Sequence, residues 1–188
     1  MNAATIESSF VTNATPRVWL LPDGGPQALP ASWLDAWEAA HGYARLVQHD
    51  WHRPLRGDWS ARLQETLIDA PGPVVLVASG LGCILTAWWA AHSPAAAKVR
   101  GALLVAPTDV EQPALREQLP GWSPIARQPL PFPSMVVAGP PLSGACSPQR
   151  AQALAQAWGA VFIAGDETAD APIPHALLQT LLKDEKPW

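Results

Sequence analysis

The stretch that decides the fold is Val74-Val75-Leu76-Val77-Ala78-Ser79-Gly80-Leu81-Gly82-Cys83, running on into Ile84-Leu85-Thr86-Ala87-Trp88-Trp89. An apolar run of strand length meets a small-residue turn, and an apolar helix follows at once. Strand, tight turn and helix in that order form the setting in which a G-x-S-x-G-like turn lifts one reactive side chain above a sheet. In such turns a glycine stands two residues beyond the attacking residue, because the helix packs too close to the strand for anything larger. Gly82 therefore points back to position 80. That position is Gly80, which has no side chain to attack with.

Outward from this stretch, strands and helices alternate. Val18-Trp19-Leu20-Leu21-Pro22 reads as a short buried strand stopped by Pro22-Asp23-Gly24-Gly25. Ser32-Trp33-Leu34-Asp35 is a capping-box pattern that opens a helix through about Ala40. Tyr43 to Val47 reads as a strand and Asp58 to Ile68 as a helix, with Trp59, Leu63 and Leu67 on one face. Beyond the central helix come a strand over Val99 to Val105 and a Pro-rich stretch over 107–133 with a short helix near Pro113–Gln118. A strand over Ser134 to Ala138, a helix over Gln149 to Trp158, a strand over Ala160 to Ala164 and a closing helix over His175 to Lys183 complete the chain. Continuous apolar strands between helices predict an α/β fold, a three-layer α/β/α sandwich around a mainly parallel sheet. Residues 1–16 read as a flexible arm and 17–188 as a single domain.

Composition narrows the function. At 48% apolar and 15% charged, the 188 residues can bury a core. A net charge of −4 with scattered Lys and Arg argues against nucleic acid as a partner. No stretch approaches the roughly 20 uninterrupted apolar residues of a membrane span. The N-terminus lacks the charge and apolar core of a signal peptide, so the cytoplasm is the expected location and no membrane partner is expected. Cys83 and Cys146 make no disulfide framework and have no metal-ligand company. Neither a P-loop nor a dinucleotide fingerprint is present, so no cofactor and no metal is expected. The ten Trp read as core and pocket wall. His49 and His52 flank Trp51 in the loop Asp50-Trp51-His52-Arg53-Pro54, which reads as an anchor of the fold.

In order, several stretches resemble the small serine hydrolases related to retinoblastoma-binding protein 9, which have a minimal α/β-hydrolase fold without a large lid. They are Leu20-Leu21-Pro22-Asp23-Gly24-Gly25, Ser32 to Glu38, Gln48 to Pro54, Pro71 to Cys83, Gly101 to Pro107, Leu130 to Ser134 and Arg150 to Gly159. The resemblance implies acyl transfer by a Ser–Asp–His triad. It puts Gly80 at the nucleophile position. The family's acid falls in Gly139-Pro140-Pro141-Leu142-Ser143-Gly144-Ala145-Cys146, which holds no carboxylate, and Ala169 falls near its His. The backbone amides of Asp23, Gly24 and Leu81 fall where the family's oxyanion donors stand.

Three matched departures point to a protein that has lost its triad and works as a non-catalytic pocket or through a protein partner. A small carboxylate or ester is the ligand such a pocket would take. Gly80 also has a physical rationale, since a side-chain-bearing residue in the strained tip conformation costs about 1–3 kcal/mol and glycine adopts it freely. The competing expectation is an active ester or amide hydrolase using Ser79, His175 and either Asp166 or Asp170. Side chains of neighbouring residues diverge around such a turn, which works against Ser79.

Overall fold

The computed structural model describes residues 15–25, 32–139, 144–165 and 175–183. The sites Asp166, Ala169 and Asp170, much of the turn after Gly139 and the side chain of Ser32 lie outside the described residues. Six strands form one sheet: β1 (Arg17–Leu21), β2 (Ala44–Arg45), β3 (Val74–Ser79), β4 (Val99–Val105), β5 (Ser134–Val137) and β6 (Val161–Ile163). The order is β2-β1-β3-β4-β5-β6, and every pairing is parallel. The helices are α1 (Ser32–His41), α2 (Arg56–Asp69), α3 (Leu81–His92), α4 (Pro113–Gln118), α5 (Pro148–Trp158) and α6 (His175–Leu182).

The sheet is covered on both faces, as its strands demand. All six residues of β3 are buried, which an alternating strand would not tolerate. Trp59, Leu63 and Leu67 of α2, the buried face of α3, and Leu154 and Trp158 of α5 join Leu76, Ala78 and Leu104 in the larger core. Leu34 and Trp37 of α1 and Leu178 and Leu181 of α6 join Val18, Leu20, Val75, Val77 and Leu103 in a smaller one on the other face. The three-layer architecture predicted from the apolar runs is therefore present.

Local signals explain most element ends. Pro148 opens α5 where its missing N–H is not needed, and the Ser147 hydroxyl accepts from the Arg150 amide at 3.2 Å. Gly159 closes the helix in the left-handed conformation. A 3₁₀ turn, Pro94–Lys98, delivers the Lys98 ammonium to the carbonyls of Leu67, Ile68 and Ala70 at the end of α2. Two elements fall short of their expectations. The strand read over Ala160 to Ala164 spans only Val161–Ile163. The strand read over Tyr43 to Val47 is only Ala44–Arg45, because it is the sheet edge: Val47 points to solvent and Tyr43 turns toward α6.

Candidate functional site

β1 and β3 are neighbours, yet the chain leaves them in opposite directions, toward α1 on one face and α3 on the other. The loops that follow them flank a topological switch point, where sheets of this class bind ligands. Asp23 and Gly24 stand on one side of it, Gly80 and Leu81 on the other.

Gly80 sits at φ 55°, ψ −120°, a conformation that glycine adopts without strain. Its amide donates to the Val105 carbonyl at 3.1 Å, and its carbonyl accepts from Cys83 at 3.1 Å and Thr108 at 3.3 Å. Two residues on, a Cβ placed on Gly82 would stand 2.6 Å from the Leu21 carbonyl oxygen. The close approach of α3 to β1 therefore requires glycine there, for the reason the sequence suggested. Cys83 lies fully buried beneath the turn, its thiol donating to the Ala78 and Val105 carbonyls. Burial pushes that thiol's pKa well up, and the nearby Asp23 charge adds to the effect.

The side chain that fills the tip belongs to Asp23. Its Oδ1 accepts from the Leu81 amide at 2.7 Å and from the Gly24 amide at 2.9 Å. A Cβ on Gly80 would collide with that carboxylate. Leu81 N is the first amide of α3, so a carboxylate there meets both a hydrogen-bond donor and the positive end of the helix. The sequence assigned Asp23, Gly24 and Leu81 as backbone donors to an anion. Gly24 and Leu81 do converge on one, but the anion is the chain's own, and Asp23 contributes it.

The Asp23 loop is braced from behind. Gly25 donates to the Trp51 carbonyl at 2.8 Å, and Gly24 leaves no room for a Cβ beside the Trp59 indole. Trp51 and Trp59 pack edge to face with centroids 5.3 Å apart, as do Trp59 and Trp122 at 5.5 Å. Trp59 Nε1 donates to the Asp50 carbonyl and Trp122 Nε1 to that of Pro54. The Asp50 carboxylate accepts the amides of His52 and Arg53 and so shapes the 50–54 loop. His49 and His52 are exposed.

Across the crevice, the loop after β4 is tied to the turn after β5. Thr108 and Ala145 form an antiparallel bridge, Asp109 donates its amide to Gly144, and Cys146 donates to Pro107. Glu111 accepts from the Ile125 amide at 3.0 Å, from Arg127 at 2.6 Å and from Arg150, which also lies 3.6 Å from Asp109. Burial works to raise the Glu111 pKa, but the Ile125 amide and the two arginines outweigh it and hold the group below its ordinary value. The sequence reading missed this cluster because residues 107–133 lack any period. Burial raises the Cys146 thiol to about 12, with Asp109 adding to it, so this thiol is no nucleophile.

Ser79 and His175 are not brought together. Ser79 ends β3 with 8% of its surface exposed. His175 Nε2 is 2.8 Å from the Tyr43 hydroxyl, and its Nδ1 is 3.5 Å from the Gln179 amide nitrogen. Ala44 pairs with Trp19 and Trp19 with Leu76, so Tyr43 falls at the level of Val75. Four residues of β3 separate that level from Ser79, roughly 13 Å at strand rise. Among the described residues, no hydrogen bond joins Ser79 to His175, and no group of three or more His, Cys, Asp and Glu is arranged to hold a metal. No helix among them is long and apolar enough to cross a membrane.

An all-parallel sheet in this order, with a glycine-tipped strand–helix turn at its switch point, defines an α/β-hydrolase fold. The sequence profile of the serine hydrolases matches residues 20–171, and the chain belongs to that family. A solved structure described as a YdeN-like hydrolase of Pectobacterium atrosepticum superposes with a TM-score of 0.68 at 21% identity, covering 89% of each chain. The ydeN gene product of B. subtilis superposes at 0.63 and 16%, covering 90% of this chain and 100% of that one. A hydrolase from Oleispira antarctica does so at 0.63 and 11%, covering 89% and 91%. At these identities the likeness speaks for the fold alone. No curated protein matches the chain.

Proposed function

We propose that this serine hydrolase family member is non-catalytic and works by binding a protein partner. One observation carries the reading: the Asp23 carboxylate rests on the Leu81 and Gly24 amides, in the space that a side chain at Gly80 would enter. An acyl-transfer site needs those amides free for the oxygen that gains charge in the transition state. Here that oxygen would have to evict a carboxylate. A small carboxylate or ester ligand faces the same competition, whereas a macromolecular partner docking over the crevice does not.

Three further features support the reading. Gly80 offers no nucleophile, the sequence from 118 to 165 contains no Asp or Glu, and Ala169 stands near the family's His position. Removing any one member of a Ser–Asp–His triad already removes most of its acceleration. The Ser79–His175 alternative finds no support in the pairing of His175 with Tyr43.

The test is exposure of the protein to a fluorophosphonate probe, read by mass spectrometry, alongside turnover of p-nitrophenyl acetate. The expected result is no adduct on any Ser and no turnover above that of a His175→Ala variant. Labelling of Ser79 that disappears in His175→Ala would overturn the proposal.

A further inference from the structure

α6 covers the smaller core, with Leu178 and Leu181 buried against Val75, Val77 and Leu103. Gly101 lets it lie close: a Cβ there would stand 3.1 Å from Leu181 Cδ2. Its first residue is His175, and this residue is fastened to the end of α1 by rings. His175 stacks on His41 with centroids 4.1 Å apart and planes 6° from parallel. It meets Trp37 edge to face at 4.9 Å and lies nearly parallel to Tyr43 at 5.9 Å, whose hydroxyl reaches its Nε2. Tyr43 in turn stacks on His41 at 5.1 Å.

A charge on His175 works against this packing. A cation at the first residue of a helix opposes the helix dipole, and the half-buried ring loses part of its hydration. Histidines ordinarily take up a proton near pH 6.5, so acid reaches this contact before it reaches the carboxylates. Among the described residues, the facing groups offer little relief. From α1 the facing titratable group is His41, and Asp35 and Glu38 of that helix are engaged by Arg45 of β2. Before β2 stands Tyr43, whose phenol is uncharged at these pH values and whose pKa burial raises further. β3 and β4 present apolar side chains, and α6 itself adds the uncharged Gln179.

We propose that the His41–His175–Tyr43 stack is an acid-released latch: protonation of His175 frees the first turn of α6 from α1 and loosens the helix over the core it covers. The direction of the linkage agrees. Burial, and secondarily His41, hold the His175 pKa below 6.5. The unfolded or released form therefore binds more protons in that range. The latch is complete above pH 6.5 and is lost as the pH falls through the depressed value.

Amide hydrogen exchange of the full chain at pH 7.5 and 5.0, corrected for intrinsic rates, tests this. Exchange across residues 175–183 is expected to rise at least about threefold relative to α3 on acidification, as for a locally opening unit. In His41→Phe, which keeps a stacked ring without the charge, the rise should be smaller than in the wild type. An NMR titration gives a second readout: the His175 midpoint should move upward in His41→Phe. Equal loosening of α3 and α6 in acid, or a rise in His41→Phe as large as in the wild type, would overturn the latch. So would a His175 midpoint indifferent to residue 41.

Discussion

Replacing Gly80 with Ser restores the side chain that the family's chemistry needs, and the structure says what it does. The new Cβ enters the Asp23 carboxylate, so Asp23 must leave the amides of Leu81 and Gly24. Each hydrogen bond to a charged group contributes about 1.5–3 kcal/mol. Asp23 is half-buried, so water recovers part of the two that are lost. Backbone strain at φ 55° adds about 1–3 kcal/mol for a non-glycine residue. Gly80→Ser alone should therefore destabilise by about 3–6 kcal/mol. In an Asp23→Ala background the collision is absent and only the strain of about 1–3 kcal/mol remains. Urea denaturation of the wild type, both single variants and the double variant closes the cycle, with an expected coupling of about 2–3 kcal/mol. In thermal melts that coupling is about 4–12 °C for a chain of this size. Additivity within about 0.5 kcal/mol would refute the argument that Asp23 and Gly80 compete for one space.

Two further outcomes follow from the same coordinates. Glu111 has a depressed pKa, so its contribution is present above the ordinary value of 4.5 and is lost as the pH falls through the folded value. Glu111→Gln should flatten the dependence of the urea midpoint on pH below about 5, while leaving Arg150 with the more distant Asp109 as its carboxylate at neutral pH. Neither Cys83 nor Cys146 should react with iodoacetamide at pH 8 until denaturant is added, since both are buried and their thiols are raised. Labelling of either in the native protein, read by mass spectrometry, would contradict that burial.

What the sequence announces and what it hides divide along chemical lines. The strands of the central sheet are legible because a segment covered on both faces must be apolar throughout, and Val74 to Ser79 is. Gly82 is legible because a helix crossing a strand closely admits no side chain. β2 misleads for a related reason: Tyr43, Leu46 and Val47 look like strand residues, but at a sheet edge their side chains serve α6, the core and solvent instead of a ladder. The Asp23 carboxylate was invisible because its role depends on a vacancy 57 residues away. In one dimension, a turn aspartate and a turn glycine carry no mark of sharing a volume. The Glu111 cluster was hidden in the same way, since Arg127 and Arg150 reach it from separate segments.

The chain of indoles behind the Asp23 loop gives the molecule an optical handle. Trp51, Trp59 and Trp122 stand edge to face at nearest-neighbour spacing, close enough for their indole transitions to couple, so the tryptophan circular dichroism is expected to respond to their mutual arrangement. Because Gly25 hangs from the Trp51 carbonyl, anything that pulls the 23–25 loop off the helix end disturbs the first member of that group. A displacement of Asp23 from the amide pair is therefore expected to register in the native chromophores, which makes the proposed docking over the crevice testable without attaching any label.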